Sequence, residues 1–101
     1  MYAGQTATIN KDYITTETDL SFVKELDGVT AAPGVTVTDN GNSLSVAIAS
    51  SGYDPVFLYK ATGAGSGASG KIYVVPEDTG YAGNLNSVIP VSYTHLTLPT
   101  S

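Results

Sequence analysis

Alternation of apolar and polar residues along the chain is clearest between positions 35 and 48. Residues 35–38 alternate valine with threonine, and residues 44–48 alternate again. The two segments are separated by Asn40-Gly41, a pair typical of a two-residue type I′ turn, because both residues adopt positive φ readily. The pattern predicts an antiparallel hairpin whose opposed residue numbers sum to 81. The expected buried pairs are Val37 with Leu44 and Val35 with Val46.

Three other segments have strand character. Residues 6–9 are β-prone, and residues 56–60 and 71–75 are nearly all apolar, as expected of strands at the core of a sandwich. Pro55 is expected to precede its strand, because proline cannot donate a ladder hydrogen bond. The glycine-rich loop at positions 63–70 is expected to join two antiparallel strands.

Residues 12–27 allow two interpretations. Asp19 could cap a short helix over residues 20–26. The same stretch also alternates, with Leu20, Phe22 and Leu26 on one side, and we favour an irregular strand or a single helical turn.

Short strands separated by turns predict an all-β fold, a small antiparallel β-sandwich. We expect one domain over residues 1–90, in which residues 1–28 have the least regular pattern.

Composition narrows the range of functions. The chain has 101 residues, a net charge of −5 and no cysteine. It has four lysines and no arginine. Nucleic-acid binding normally requires a basic surface, so we expect no nucleic-acid partner. No apolar run reaches the roughly 18 residues of a membrane-spanning helix, so no membrane insertion is expected.

The C-terminal residues resemble something other than a protein family. Residues 91–101 read VSYTHLTLPTS, and the first ten are similar to one reading frame of the transposon-end adapter used in preparing sequencing libraries. The alternative is a natural β-strand. The resemblance implies that residues 91–101 are a non-native tail, that the sandwich is truncated at its C-terminus, and that Met1 could be an internal methionine. The only histidine, His95, lies in this tail.

Catalytic constellations are weak in this sequence. Residues 65–71 nearly fit a phosphate-binding loop, but that motif requires a helix next, and residues 72–76 are β-branched, aromatic and proline. Lys71 with Ser66 or Ser69 is the only nucleophile–base pair that suggests itself once His95 is discounted. We expect no enzyme activity, no catalytic residue and no cofactor.

Candidate metal and sugar sites are also weak. Residues 39–42 and Glu77-Asp78 offer oxygen ligands for calcium, but the first segment is explained by its turn, so no metal site is predicted. A carbohydrate-binding module would expose Tyr53 and Tyr59 on one sheet face. Packing of Tyr59 against Tyr73 on partner strands is the favoured alternative.

The hairpin at residues 35–48 and the strand pair at residues 56–75 resemble bacterial immunoglobulin-like surface modules. This resemblance covers about half of the chain and implies a non-catalytic structural, adhesion or spacer module of a larger bacterial surface or secreted protein, located extracellularly or at the cell surface. Its partners would be neighbouring domains of the same chain or a protein or glycan ligand. The alternatives are a phage or viral structural domain, such as a fibre or decoration protein, and a carbohydrate-binding module.

Overall fold

The computed structural model describes residues 1–12, 14, 16–62 and 69–76, and the backbone of residues 91–95. Two antiparallel sheets are formed within this part of the chain, which confirms the predicted all-β sandwich. The elements, in chain order, are β1 (Gln5–Asn10), a 3-10 turn (Glu17–Asp19), β2 (Leu20–Lys24), β3 (Val35–Asp39), β4 (Ser43–Ile48), β5 (Val56–Ala61), β6 (Ser69–Tyr73) and β7 (Val91–His95).

The strand order is β3-β4-β1-β7 in one sheet and β2-β5-β6 in the other. The core lies between the inner faces of these sheets, where alternate residues of the strands are buried, as the period-2 pattern requires. Its largest fully buried side chains are Tyr59, Phe57, Met1, Ile9, Ile14, Leu44, Ile72 and Val46. Phe22 of β2 and Phe57 of β5 meet edge to face, with ring centroids 6.1 Å apart.

The 35–48 hairpin forms, but the predicted register is wrong. Val37 is opposite Val46 and Val35 is opposite Ile48, so opposed residue numbers sum to 83 instead of 81. Both registers place valines opposite apolar residues, because a slip of two positions leaves every side chain on its original face. Leu44 and Val46 are buried, whereas Val35 and Val37 are only partly buried.

Turn geometry accounts for the register. The amide of Asn40 donates to the carbonyl of Ser43 at 2.8 Å, which places Gly41 and Asn42 at the two central positions. Gly41 has a φ of 96°. Every positive φ among the described residues belongs to a glycine, so the φ of Asn42 is negative. Glycine at the first central position with a negative φ at the second is typical of a type II′ turn, not of the type I′ turn predicted for Asn40-Gly41.

The described part of the ambiguous segment, from residue 16 onward, forms a 3-10 turn followed by strand β2, as favoured, and the helical alternative is wrong. Leu20 and Phe22 of β2 point into the core, while Ser21 is exposed. A strand lets these alternate residues face β5, with which β2 pairs along its full length.

The N-terminal residues connect the two sheets. The amide of Ala3 donates to the carbonyl of Val75, and the amide of Val75 donates to the carbonyl of Met1, beyond the end of β6. Gly4, with a φ of 80°, then lets the chain turn into β1, which pairs with β4 of the other sheet.

Candidate functional site

The outer face of the β2-β5-β6 sheet combines apolar and cationic side chains. Leu58 of β5 lies between Val23 of β2 and Lys71 of β6, and Lys60 occupies the next outward position of β5. Val23 and Leu58 are half-buried, whereas both lysines are exposed. This surface, called here the open face, therefore offers an apolar centre flanked by positive charge.

A groove with a volume of about 560 Å³ runs over the open face. Beyond the four side chains just described, its lining includes small residues, namely Ser21, Gly28, Ser69 and Gly70. Concave surfaces with an apolar floor and a few polar groups are the usual form of binding sites, so the groove is the leading candidate in the described part of the chain.

The loop at residues 25–30 stands beside this groove and presents apolar side chains to solvent. Leu26 is 93% exposed and Val29 is 80% exposed. A single exposed apolar residue is ordinary, but two on one short loop beside an apolar groove are a feature of interaction surfaces.

Hydrogen bonds hold this loop in one conformation. The amide of Lys24 donates to the carbonyl of Thr30 at 2.7 Å, and the amide of Gly28 donates to the carbonyl of Lys24 at 2.9 Å. The Asp27 carboxylate accepts from the amides of Val29 and Thr30, both at 2.9 Å, and from the Thr30 hydroxyl. These bonds, led by the one from the Thr30 hydroxyl, lower the pKa of Asp27 to about 2. The apolar tip is thus presented on a fixed backbone.

The two lysines of the open face differ in their surroundings. Nζ of Lys71 lies 3.2 Å from a carboxylate oxygen of Glu25 in an exposed ion pair. No ion pair to Lys60 is found among the described residues. Lys60 is exposed on the open face.

The tyrosines are distributed differently from the pattern expected of a sugar-binding face. Tyr59 is only 2% exposed and belongs to the core, and Tyr53 is half-buried against it. Tyr73, in contrast, is 51% exposed and lies on the open face, two residues after Lys71. The predicted packing of Tyr59 against Tyr73 does not occur, because the two rings lie on opposite faces of the sheet.

The glycine-rich segment joins antiparallel strands β5 and β6, as predicted. Its residues 63–68, including Ser66, lie outside the described residues. Ser69 and Gly70 are already part of strand β6, so the helix that a phosphate-binding loop requires does not follow. Ser69 and Lys71 share the open face, two positions apart on one strand.

The carboxylate of Asp39, which the sequence offered as an oxygen ligand for calcium, is engaged by the turn that forms and by Lys11. The Asp39 carboxylate accepts from Lys11 Nζ and from the amide of Gly41, both within 2.9 Å, and these two bonds hold its pKa below the usual range. Glu77 and Asp78 lie outside the described residues. Within the described residues, no three acidic, histidine or cysteine side chains group as a metal site.

Sequence reasoning missed the exposed loop. Leu26 was expected on the buried side of the alternating stretch, with Leu20 and Phe22, but β2 ends at Lys24 and Leu26 turns to solvent. The signal available was Asp27-Gly28, a turn dipeptide between two apolar residues.

Neither a protein-family model, nor a curated protein, nor a solved structure matches this chain. Among the described residues there is no helix of the length and apolarity needed to span a membrane.

Proposed function

We propose that this chain is a non-catalytic, immunoglobulin-like structural or adhesion module of a larger bacterial surface or secreted protein, and that it contacts its partners through the open face and the 25–30 loop. The exposure of Leu26 and Val29 on a hydrogen-bonded loop is the observation that carries the adhesion role. Keeping two large apolar side chains in water is unfavourable, so a partner that covers them is expected.

The strand connectivity supports the immunoglobulin-like assignment. A constant-type immunoglobulin sandwich has strands A, B, E and D in one sheet and C, F and G in the other. If β1 corresponds to strand B, then β2 to β6 follow as C, D, E, F and G, and the order β3-β4-β1 matches D-E-B. The order β2-β5-β6 likewise matches C-F-G. In this comparison β7 takes the place of strand A, although it comes from the opposite end of the sequence.

The adhesion role is tested with beads coated with the chain. We expect them to attach to bacterial cells or to extracellular-matrix protein, and the variant Leu26→Ser with Val29→Ser to attach about tenfold less, because interface energy is concentrated in a few apolar anchors. The matched control is Thr36→Ser with Thr38→Ser, two exposed residues of β3. Equal attachment of the serine variant, or no attachment to any surface, would contradict the adhesion role.

The cellular context is tested by recovering the intact gene. An export signal and further β-modules in the same reading frame would support a surface or secreted protein. Virion genes alongside it would favour the phage or viral structural alternative and overturn the proposed setting.

A carbohydrate-binding module is the second candidate, favoured by one observation. Tyr73 is exposed beside Lys71 and Ser69 on the open face, where an aromatic ring could stack on a sugar and the polar groups could bind its hydroxyls. Binding on a glycan array that is lost in Tyr73→Ala but kept in Leu26→Ser would favour this candidate over a protein ligand.

A further inference from the structure

Strand β1 is a core strand with pairing partners on both sides. It pairs with β4 on one side and with β7 on the other, antiparallel in each case. Ala7 and Ile9 of β1 are completely buried, while Thr6 and Thr8 are partly exposed on the opposite face. The edge that β7 covers therefore belongs to a strand whose inward side chains lie in the core.

Strand β7 differs from the other strands because both sheets form without it. Strands β1 to β6 build both sheets by themselves, and β7 is added at the β1 edge. Its sequence lies within the segment that resembles translated adapter. A segment never selected for this sandwich can pair with β1 only through general properties, which are backbone hydrogen bonding and strand propensity.

The register explains why such a segment fits. Val91 and Tyr93 are opposite Ile9 and Ala7 of β1. In the same way Ser92 and Thr94 are opposite Thr8 and Thr6. Directly opposed residues of an antiparallel pair share a sheet face, so the apolar–polar alternation of residues 91–94 is in register with that of β1.

We propose that the β1 edge is a binding site for an extended polypeptide strand, and that β7 is one occupant of a general acceptor site. The ligand is a segment of at least five residues without proline, alternating apolar and polar, that runs antiparallel to β1. Main-chain hydrogen bonds supply the affinity and the alternation sets the register. The inference does not depend on the proposed adhesion function, which uses the other sheet.

The test uses the full chain and a fluorescently labelled peptide of residues 91–101. In the unaltered protein β7 competes with an effective concentration of the order of millimolar, so the peptide should bind weakly. The variant Tyr93→Pro impairs the pairing of β7 and should bind the peptide about twofold more tightly, because pairing that adds little net stability competes only weakly. The matched control is the same peptide with the Tyr93→Pro change, which should not bind. No binding to the folded variant, or equal binding of the proline peptide, would overturn the proposal.

A second measurement applies if Tyr93→Pro does not fold. Hydrogen exchange of the unaltered protein should show the amides of Val91–His95 exchanging through local release of β7, faster than the amides that link β1 to β4. Exchange of both sets only through global unfolding would mean that β7 is an integral strand, and the proposal would be wrong.

Discussion

The ring of Tyr59 lies against Gly70 on the neighbouring strand, in the space where any other residue would carry its Cβ atom. A Cβ built at Gly70 would lie 2.7 Å from Cε1 of Tyr59 and 3.0 Å from its hydroxyl oxygen. Tyr59 and Gly70 are directly opposed in the β5–β6 pairing. The absence of a side chain at Gly70 thus makes room for the largest fully buried residue of the core.

Substitution at Gly70 should therefore be costly. We expect Gly70→Ala to lower the free energy of unfolding by about 1–3 kcal/mol, because the buried ring has to shift away from the new methyl group. Urea denaturation measures this change. Ser69→Ala, at the exposed neighbouring position, is the control and should stay within about 0.5 kcal/mol. An unchanged midpoint for Gly70→Ala would mean that the ring does not occupy this space.

The hydroxyl of Tyr59 gives a prediction of the opposite sign. It is buried, and it has no hydrogen-bond partner, the one such side-chain atom among the described residues. Since a buried polar group without a partner destabilises the folded state, Tyr59→Phe should leave stability unchanged or raise it by about 1 kcal/mol. Thermal unfolding of the two proteins decides the matter. A loss above about 1 kcal/mol would show that the hydroxyl has a bound water or other partner.

The 35–48 hairpin illustrates what the sequence pattern determines and what it does not. Alternation fixes which face each residue occupies, and this was predicted for Val37 and Val46. It cannot distinguish registers that differ by two positions, because both bring apolar residues together. The choice between them depends on which two residues form the turn. That choice is made by Gly41, which takes the first central position instead of the second.

Glycine at position 41 should be required by this turn. Gly41→Ala is expected to destabilise the protein by about 1–3 kcal/mol, because its φ of 96° is strained for other residues. Asn42→Ala, at a position without positive φ, is the control and should have little effect. Close Hα–Hα contacts between Val37 and Val46 by NMR would verify the register, whereas such contacts between Thr38 and Ser43 would restore the predicted one.

The sequence pattern could not predict which strands pair with each other to build the sheets. Strand β1 pairs with β4 and β2 pairs with β5, each across two intervening strands. Local periodicity indicates strands, but it does not specify partners far apart in the chain. For the candidate site, the strands of the open face were predicted, whereas the exposed loop at residues 25–30 was not. Residues 30–32 pair back onto β2, so residues 25–29 form a short local turn that the alternating pattern alone does not reveal.

The N-terminal ammonium group gives a pH dependence with a defined sign. Met1 donates from this group to the carbonyl of Tyr73 at 2.8 Å, and burial lowers its pKa from 8.0 to about 6. Between pH 6 and pH 8 the unfolded chain therefore binds more protons at this group than the folded chain does. The stability from this group should rise with pH across that window and be lost as pH falls through it.

Urea denaturation at several pH values measures this effect, and an N-terminally acetylated chain is the control. Acetylation removes the titrating charge, so the slope of stability against pH should fall relative to that of the free amine. Equal slopes for the two forms between pH 6 and pH 8 would mean that folding does not alter the pKa of the Met1 ammonium. Asp27 and Asp39 do not interfere, because their lowered pKa values place their titration below this window.

Deletion of residues 91–101 tests whether this segment is an adapter-derived tail. If it is, its pairing with β1 should contribute little net stability. Each backbone hydrogen bond contributes about 1 kcal/mol, while ordering each residue of β7 costs about 1–2 kcal/mol, so the two effects nearly cancel. We therefore expect the truncated chain to unfold within about 0.5 kcal/mol of the full chain.

Since its β1 edge is uncovered, the truncated chain should also associate more readily in concentrated solution. Denaturation at low concentration separates the two effects, and light scattering detects the association. A natural final strand would instead fill core space, and its removal would cost several kcal/mol. A loss of that size, measured at a concentration where the truncated chain is monomeric, would mean that residues 91–101 belong to the protein.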